Sequence, residues 1–202
     1  MIYLLSDTHF YHKLVESYRP PNFGQKTIEN IFQRVKEGDT LIHLGDFSRY
    51  VEDPPGRGLL GMWKAIPSKK ILILGNHDLE LEEEEFIFLE DYFDEIVDFH
   101  ITLHHETEAR AYKILLTHYP ASDPTREKHR DKEEKVRRLF FEGKYDLLIH
   151  GHIHGAHRGN KCKCYEEHRI PCLNVNVEYI GYRPISVEEA IRMAREKYWQ
   201  LR

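Results

Sequence analysis

The sequence predicts a layered α/β fold, and three observations carry that expectation. Short apolar runs of the buried-strand kind recur along the chain. Segments with apolar residues at i, i+3, i+4 and i+7 lie between them, the spacing of one helix face. Clusters of Asp, Asn and His fall where the strands run out, the place at which α/β folds put their sites. A length of 202 residues is enough to bury a full core. No Gly/Ser-rich linker divides the chain, so one domain spanning 1–202 is expected.

Taken in order, Ile2 to Leu5 is the first strand. A helix after Thr27 follows, with Ile28, Ile31, Phe32 and Val35 on one face and Gly38 as its C-terminal stop. Thr40 to Leu44 and Lys70 to Leu74 are strands, with a short helix over Gly58 to Ile66 between them. The acidic stretch Leu79 to Phe93 reads as a helix with a solvated face at Glu82 to Glu85. Ile96 to Leu103 and Ala111 to Leu116 read as a hairpin around His104 to Arg110, which puts His104 and His105 in the turn. Glu127 to Phe141 is a charged helix closed by Gly143, and Tyr145 to His150 and Cys172 to Val177 are further strands. Ser186 with Glu189 forms a capping box that starts a last helix, Val187 to about Trp199. The irregular parts are Pro54-Pro55-Gly56 and Tyr165 to Pro171.

Composition excludes several functions. The formal net charge is −5 with both signs interspersed, which gives no electrostatic case for tight duplex or membrane-surface binding. No apolar run approaches the roughly 20 residues a membrane helix needs. The N-terminus lacks the basic region of a signal peptide. Three cysteines do not make a disulfide framework, so a reducing cytoplasm is the expected compartment.

Five clusters carry the chemistry: Asp7-x-His9, Gly45-Asp46, Gly75-Asn76-His77-Asp78, His118 and Gly151-His152-x-His154. If the chain is extended there, Asp7 and His9, like His152 and His154, point the same way into one pocket. Gly45 and Gly75 precede ligand candidates and permit a tight turn or a close approach. Carboxylate, amide oxygen and imidazole suit divalent Mn, Fe, Zn, Co or Ni, and the lack of Cys in the set argues against a soft-metal site. The neutral oxygen of Asn76 fits a site that holds two dications without excess negative charge.

These five motifs, in this order over Asp7 to His154, resemble the calcineurin-like metallophosphoesterase superfamily. The resemblance implies a four-layer α/β/β/α sandwich with two mixed sheets packed face to face. It also implies two divalent metal ions. Asp7, His9, Asp46 and His154 would hold one, and Asp46, Asn76, His118 and His152 the other, with Asp46 bridging. A hydroxide held between the ions would be the nucleophile. His77 would act on the leaving-group side, as general acid or phosphate contact. The implied activity is hydrolysis of phosphodiesters or small phosphomonoesters. A nuclease of the same superfamily and a non-catalytic metal-binding scaffold are the alternatives. The implied partner is a small phosphate ester, with nucleic acid only as substrate and with a homodimer allowed.

The chain also departs from the pattern. Protein phosphatases of the superfamily read G-D-x-x-D-R-G, whereas here the sequence is Gly45-Asp46-Phe47-Ser48-Arg49-Tyr50. Arg49 stands where the Asp that orients the G-N-H histidine would be, so the orientation of His77 needs another source. The chain looks closer to small stand-alone prokaryotic phosphoesterases, and within these to a subgroup with Ser-Asp-Thr-His-Phe followed by a second histidine, here His12. Arg49 is placed to meet phosphate, with Arg158 and Lys161 as weaker candidates. His12 either lines the pocket or caps the next helix. His43 reads as a core histidine, and Gly151 is expected to bend His150 away from the His152 face. Cys162, Cys164 and Cys172 read as free thiols. A Cys3His zinc clip with His168 is the alternative, against which the tight Cys-x-Cys spacing counts.

Overall fold

The computed structural model describes residues 1–50, 52–124, 128–155 and 162–198. In chain order the elements are β1 (Ile2–Leu5), α1 (Lys13–Glu16), α2 (Phe23–Arg34), β2 (Thr40–His43), α3 (Leu59–Lys64), β3 (Lys69–Ile73), α4 (Glu83–Ile87) and β4 (Glu95–Val97). They continue with β5 (His100–Glu106), β6 (Ala111–Thr117), α5 (Arg130–Glu142), β7 (Leu147–His150), α6 (Cys164–His168), β8 (Cys172–Asn174), β9 (Ile185–Ser186) and α7 (Val187–Tyr198). Two mixed sheets result, one in the order β4-β3-β2-β1-β9 and one in the order β5-β6-β7-β8. β1 to β4 run parallel with β9 antiparallel, and β6 to β8 run parallel with β5 antiparallel.

Alternation along the strands explains the layering. On β6, Ile114 and Leu116 join the core shared with the first sheet, whereas Leu115 joins Val136 and Phe140 of α5. On β7, Leu147 and Ile149 face the first sheet and Leu148 faces α5. All six strand positions are fully buried. A slip of one residue would exchange the two sets, and burying one such side chain is worth roughly 1.5–3 kcal/mol, so the register is strongly held. α7 packs against β1, β8 and β9 and so borders both sheets. Its capping box forms as predicted: Ser186 N donates to Glu189 Oε2 at 2.8 Å and Glu189 N donates to Ser186 Oγ at 3.1 Å.

Several expectations need correction. α2 begins at Phe23 and ends at Arg34, because Val35 is already extended. Gly38, at φ +84°, lies in the turn to β2 and does not cap the helix. The acidic stretch is broken into a 3-10 turn at Asp78–Glu80, the short α4 and a second 3-10 turn at Phe88–Asp91. Its crowded carboxylates favour no continuous helix. The run Ile96 to Leu103 divides between sheets, since β4 pairs with β3 and β5 pairs with β6. His104 and His105 therefore lie on β5, opposite Lys113 and Tyr112, and not in a turn. α6 occupies part of a segment expected to be irregular. Glu127, Arg158, Lys161 and Trp199 fall outside the described residues. No helix among the described residues is long and apolar enough to cross a membrane.

Candidate metal centre

All five motifs follow the carboxyl ends of parallel strands, β1, β2 and β3 in one sheet and β6 and β7 in the other. The loops stay knitted together beyond the strands. Asp7 N donates to Gly45 O at 2.9 Å, His9 N to Asp46 O at 3.0 Å and Gly151 N to His118 O at 3.0 Å. The two sheets meet at this edge through Ser6 and Asn176, where Ser6 N donates to Val175 O at 3.0 Å and Val177 N donates to Ser6 O at 3.1 Å.

Two groups of donor atoms converge there. Asp7, His9 and His154 form one, and Asp46, His118 and His152 form the other, each with its ligand atoms within 4.8 Å of one another. Asp46 Oδ2 stands between them, 3.4 Å from His9 Nε2 and 3.5 Å from His118 Nε2. Asn76 Oδ1 is 3.2 Å from His118 Nε2, and His152 Nδ1 is 3.1 Å from the same nitrogen. His154 Nε2 is 3.2 Å from His9 Nε2 and 3.5 Å from Asp7 Oδ1. The extended-segment argument is not what brings them together. Asp7, His9, Asp46 and His152 all have positive φ, between 46° and 69°, a region costly for side-chain-bearing residues and typical of functional loops. His152 and His154 consequently reach different groups rather than one.

The two glycines have distinct roles. Gly45 adopts φ +88°, and a Cβ there would meet Gly75 N and His118 Nδ1, each at 2.6 Å. A Cβ on Gly75 would collide with the Asp46 carboxylate and backbone. Larger residues would push the second loop off the first.

Hydrogen bonds fix which atoms face inward. His118 Nδ1 donates to Leu44 O at 2.7 Å, and His154 Nδ1 meets Glu178 Oε1 at 2.9 Å. Each imidazole thus keeps its Nε2 lone pair for the site, the arrangement that carboxylate or carbonyl partners impose on metal-binding histidines. Burial, with Asp7 and Asp78 nearby, holds the Asp46 carboxyl well above the usual carboxylate range. Burial, with His154 and Arg19 nearby, holds His9 well below the ordinary imidazole value. Such a set of buried anions and lone pairs is self-repelling, and divalent cations fit it.

Three supporting residues have roles that the sequence did not assign, although Asp78 stands in the fourth motif. Asp78, fully buried, accepts from Asp46 N at 2.8 Å, Gly75 N at 2.8 Å and Phe47 N at 3.0 Å, and so locks two ligand loops together. Glu178 holds His154 and also accepts from Arg19 Nε at 2.8 Å and Gly155 N at 2.9 Å. Burial opposes its ionisation, yet His154 and Arg19 bring its carboxyl down to about 2. Glu80 Oε2 lies 3.0 Å from His77 Nδ1 and supplies a carboxylate partner for His77 in a chain that has Arg49 at the motif position of the Asp. No signal in the sequence pointed to Glu80, and Glu178 lies more than twenty residues beyond the last motif.

The remaining candidates distribute as follows. His77, His12 and His9 gather with ring centroids 5.2–5.4 Å apart. His12 does both things weighed for it, bordering the site and accepting from Val15 N at 3.4 Å at the start of α1. Arg49 is exposed, and burial together with its charge lowers the His12 imidazole. His43 is fully buried among Phe47, Trp63 and Phe93. Its Nε2 meets Thr8 Oγ1 at 3.0 Å, Nδ1 has no partner, and burial depresses it to about 3.

A face-to-face pair of mixed sheets with Asp, Asn and His donors at one edge is the architecture of a metallophosphoesterase. A profile described as calcineurin-like phosphoesterase matches residues 1–156, and this chain belongs to that family. An uncharacterised protein of Methanocaldococcus jannaschii is 27% identical over 198 residues, covering 95% of this chain and 90% of that one. A crystal structure of a protein of unknown function from Aquifex aeolicus is similar at 40% identity and a TM-score of 0.82, over 96% of this chain and 98% of its own. A structure described as a novel archaeal phosphodiesterase shares 21% identity at a TM-score of 0.48, over 93% of this chain and 94% of its own, too distant a likeness to speak for function.

Proposed function

We propose that this chain is a dinuclear metal-dependent phosphoesterase acting on phosphodiesters or small phosphomonoesters. The observation that carries the reading is the position of Asp46 Oδ2, shared almost equally between His9 Nε2 and His118 Nε2. A lone carboxylate oxygen between two donor groups suits a bridge between two ions. Asp7, His9, Asp46 and His154 would hold one ion, and Asp46, Asn76, His118 and His152 the other. Two bound dications would supply Lewis acidity toward phosphoryl oxygens and an ionised water near neutral pH.

The protein's own charges set the substrate class. Among the seven ligands only Asp7 and Asp46 are anionic, so two dications would leave an excess of two positive charges. That excess favours a phosphate ester over a neutral substrate. His77 stands beside this centre with its side chain 31% exposed, open to a leaving group. Its Nδ1 donates to Glu80, so the Nε2–H that would protonate the departing oxygen belongs to the imidazolium form, which burial disfavours and the Glu80 carboxylate supports. His12 and Arg49 flank the same side and would meet the remaining phosphoryl oxygens. No Asp-Arg-Gly extension is present to seat a phosphoprotein, and diesters are the expected preference.

The test is a comparison of rates on bis-nitrophenyl phosphate, nitrophenyl phosphate and a phosphoserine peptide, using protein reconstituted with Mn, Fe, Zn, Co or Ni. About two ions per chain and fastest turnover of the diester are expected. One ion at saturation, or efficient phosphopeptide hydrolysis with diesters inert, would overturn the reading.

A further inference from the structure

All three cysteines of the chain lie between the end of β7 and the first residue of β8, which is Cys172, and none belongs to the centre described above. Cys162 precedes α6, Cys164 begins it, and Cys172 opens β8. His150 closes β7 on the neighbouring strand. Their ligand atoms lie within 4.8 Å of one another, with Cys162 Sγ 2.9 Å from Cys164 Sγ and 2.7 Å from Cys172 Sγ. Cys164 and His150 are fully buried, Cys172 is 2% exposed and Cys162 is half-buried.

Two further observations point to a missing ligand. His150 Nδ1 meets Gly151 O at 2.8 Å, which makes Nδ1 the donor. Its Nε2 is a buried nitrogen that meets no oxygen or nitrogen partner and faces the sulfurs of Cys162 and Cys172. A buried acceptor with only weak thiol donors beside it is costly, and here it sits within reach of three sulfurs. The backbone N–H of Ala121 also donates to Cys164 Sγ at 3.2 Å, the kind of outer contact that supports a metal-bound thiolate.

We propose that Cys162, Cys164, Cys172 and His150 hold a third metal ion, a structural zinc. Three thiolates and one imidazole make a closed Cys3His set with no position left for water or substrate. Thiolate donors also distinguish this site from the Asp, Asn and His donors of the other centre. Binding would release the three thiol protons to solvent as three Zn–S bonds form. Zn–S bonds of about 2.3 Å in a tetrahedron require sulfurs about 3.8 Å apart, so the three would spread by about 1 Å on binding. A disulfide would use only two of the three sulfurs and leave His150 Nε2 as it is. The zinc clip weighed from the sequence is thereby reassigned, because His168 lies outside the group, 3.8 Å from Glu167 Oε2, and His150 takes its place. His150 is two residues from His152, so the ion would pin the root of the loop that carries His152 and His154.

The experiment uses the full chain purified with zinc under reducing conditions. X-ray absorption at the zinc edge should show a sulfur shell at about 2.3 Å. The three thiols should resist a thiol reagent until a chelator and denaturant are added. Cobalt substitution should add a thiolate-to-metal charge-transfer band, which the nitrogen and oxygen donors of the other centre cannot produce. Cys172→Ser should lose that band and one metal equivalent per chain while keeping the nitrogen- and oxygen-bound metal. If Cys172→Ser does not fold, the absorption and thiol measurements on the unmodified chain decide alone. Absence of the sulfur shell with three freely titrating thiols, or a disulfide at Cys162 found by mass spectrometry, would sink the proposal. Both results leave the dinuclear reading standing, since neither touches its ligands.

Discussion

Replacing Asp78 by Asn should destabilise the metal-loaded protein far more than the metal-free one. Asp78 Oδ2 accepts from Asp46 N and Gly75 N, and Oδ1 accepts from Phe47 N. In Asp78→Asn the single remaining oxygen can keep two of these donors, and the new NH2 must face the third. One hydrogen bond to a charged acceptor is lost and one buried donor is left unmade, together about 3–5 kcal/mol. A second effect opposes this. The Asp78 charge helps to raise the Asp46 carboxyl, after burial and Asp7, so its removal relieves like-charge repulsion. At a pH high enough to ionise both carboxyls of the metal-free protein, charges a few Å apart at an effective dielectric near 20 make that relief on the order of 3 kcal/mol. Without metal the two effects nearly cancel. With dications neutralising Asp46 the relief disappears, and the loss of about 3–5 kcal/mol is a large part of a domain's stability. Urea unfolding with and without metal measures both, through a shifted midpoint at unchanged slope. Equal losses in the two states, or a metal-loaded variant that loses under about 1 kcal/mol, would refute the assignment of Asp78 as the lock between the loops.

Four further outcomes are expected. Asp46→Asn should lose both ions by elemental analysis along with activity, because it removes the shared anionic oxygen. His77→Ala should retain metal yet lose about 10²–10⁴ in rate, a penalty that shrinks with a nitrophenolate leaving group. Glu80→Gln should follow it in the same direction with a smaller effect, and equal slowing of good and poor leaving groups would rule out proton donation. Glu178→Gln should weaken metal binding about 10–100-fold, read by titration calorimetry, because the tautomer of His154 loses its carboxylate partner. Unchanged affinity would show that Arg19 and Gly155, not His154, are what Glu178 serves.

The sequence alone carried the alternation of strands and helices and the order of the five motifs, because both are local. Apolar runs at Ile2–Leu5 and Lys70–Leu74 declare strands by side-chain type, and a glycine before Asp46 or Asn76 declares a tight loop by the absence of a side chain. Those same local features mark Asp7, His9, Asp46, Asn76, His118, His152 and His154 as candidates. The partition of strands between sheets was not legible in that way. Ile96 and Leu103 read as one strand, and only pairing with Leu72 on one side and Ile114 on the other separates them. The roles of Glu178 and Asp78 belong to the same category, since each acts through partners on other segments, Arg19 and His154 for one and Asp46 and Phe47 for the other. The pairing of His150 with Cys162, Cys164 and Cys172, in place of His168, depends on β7 and β8 lying side by side. Spacing along a chain reports which side chains can share a turn or a face. Which of them share a buried volume is decided by packing, because desolvation and hydrogen bonding act on neighbours in space.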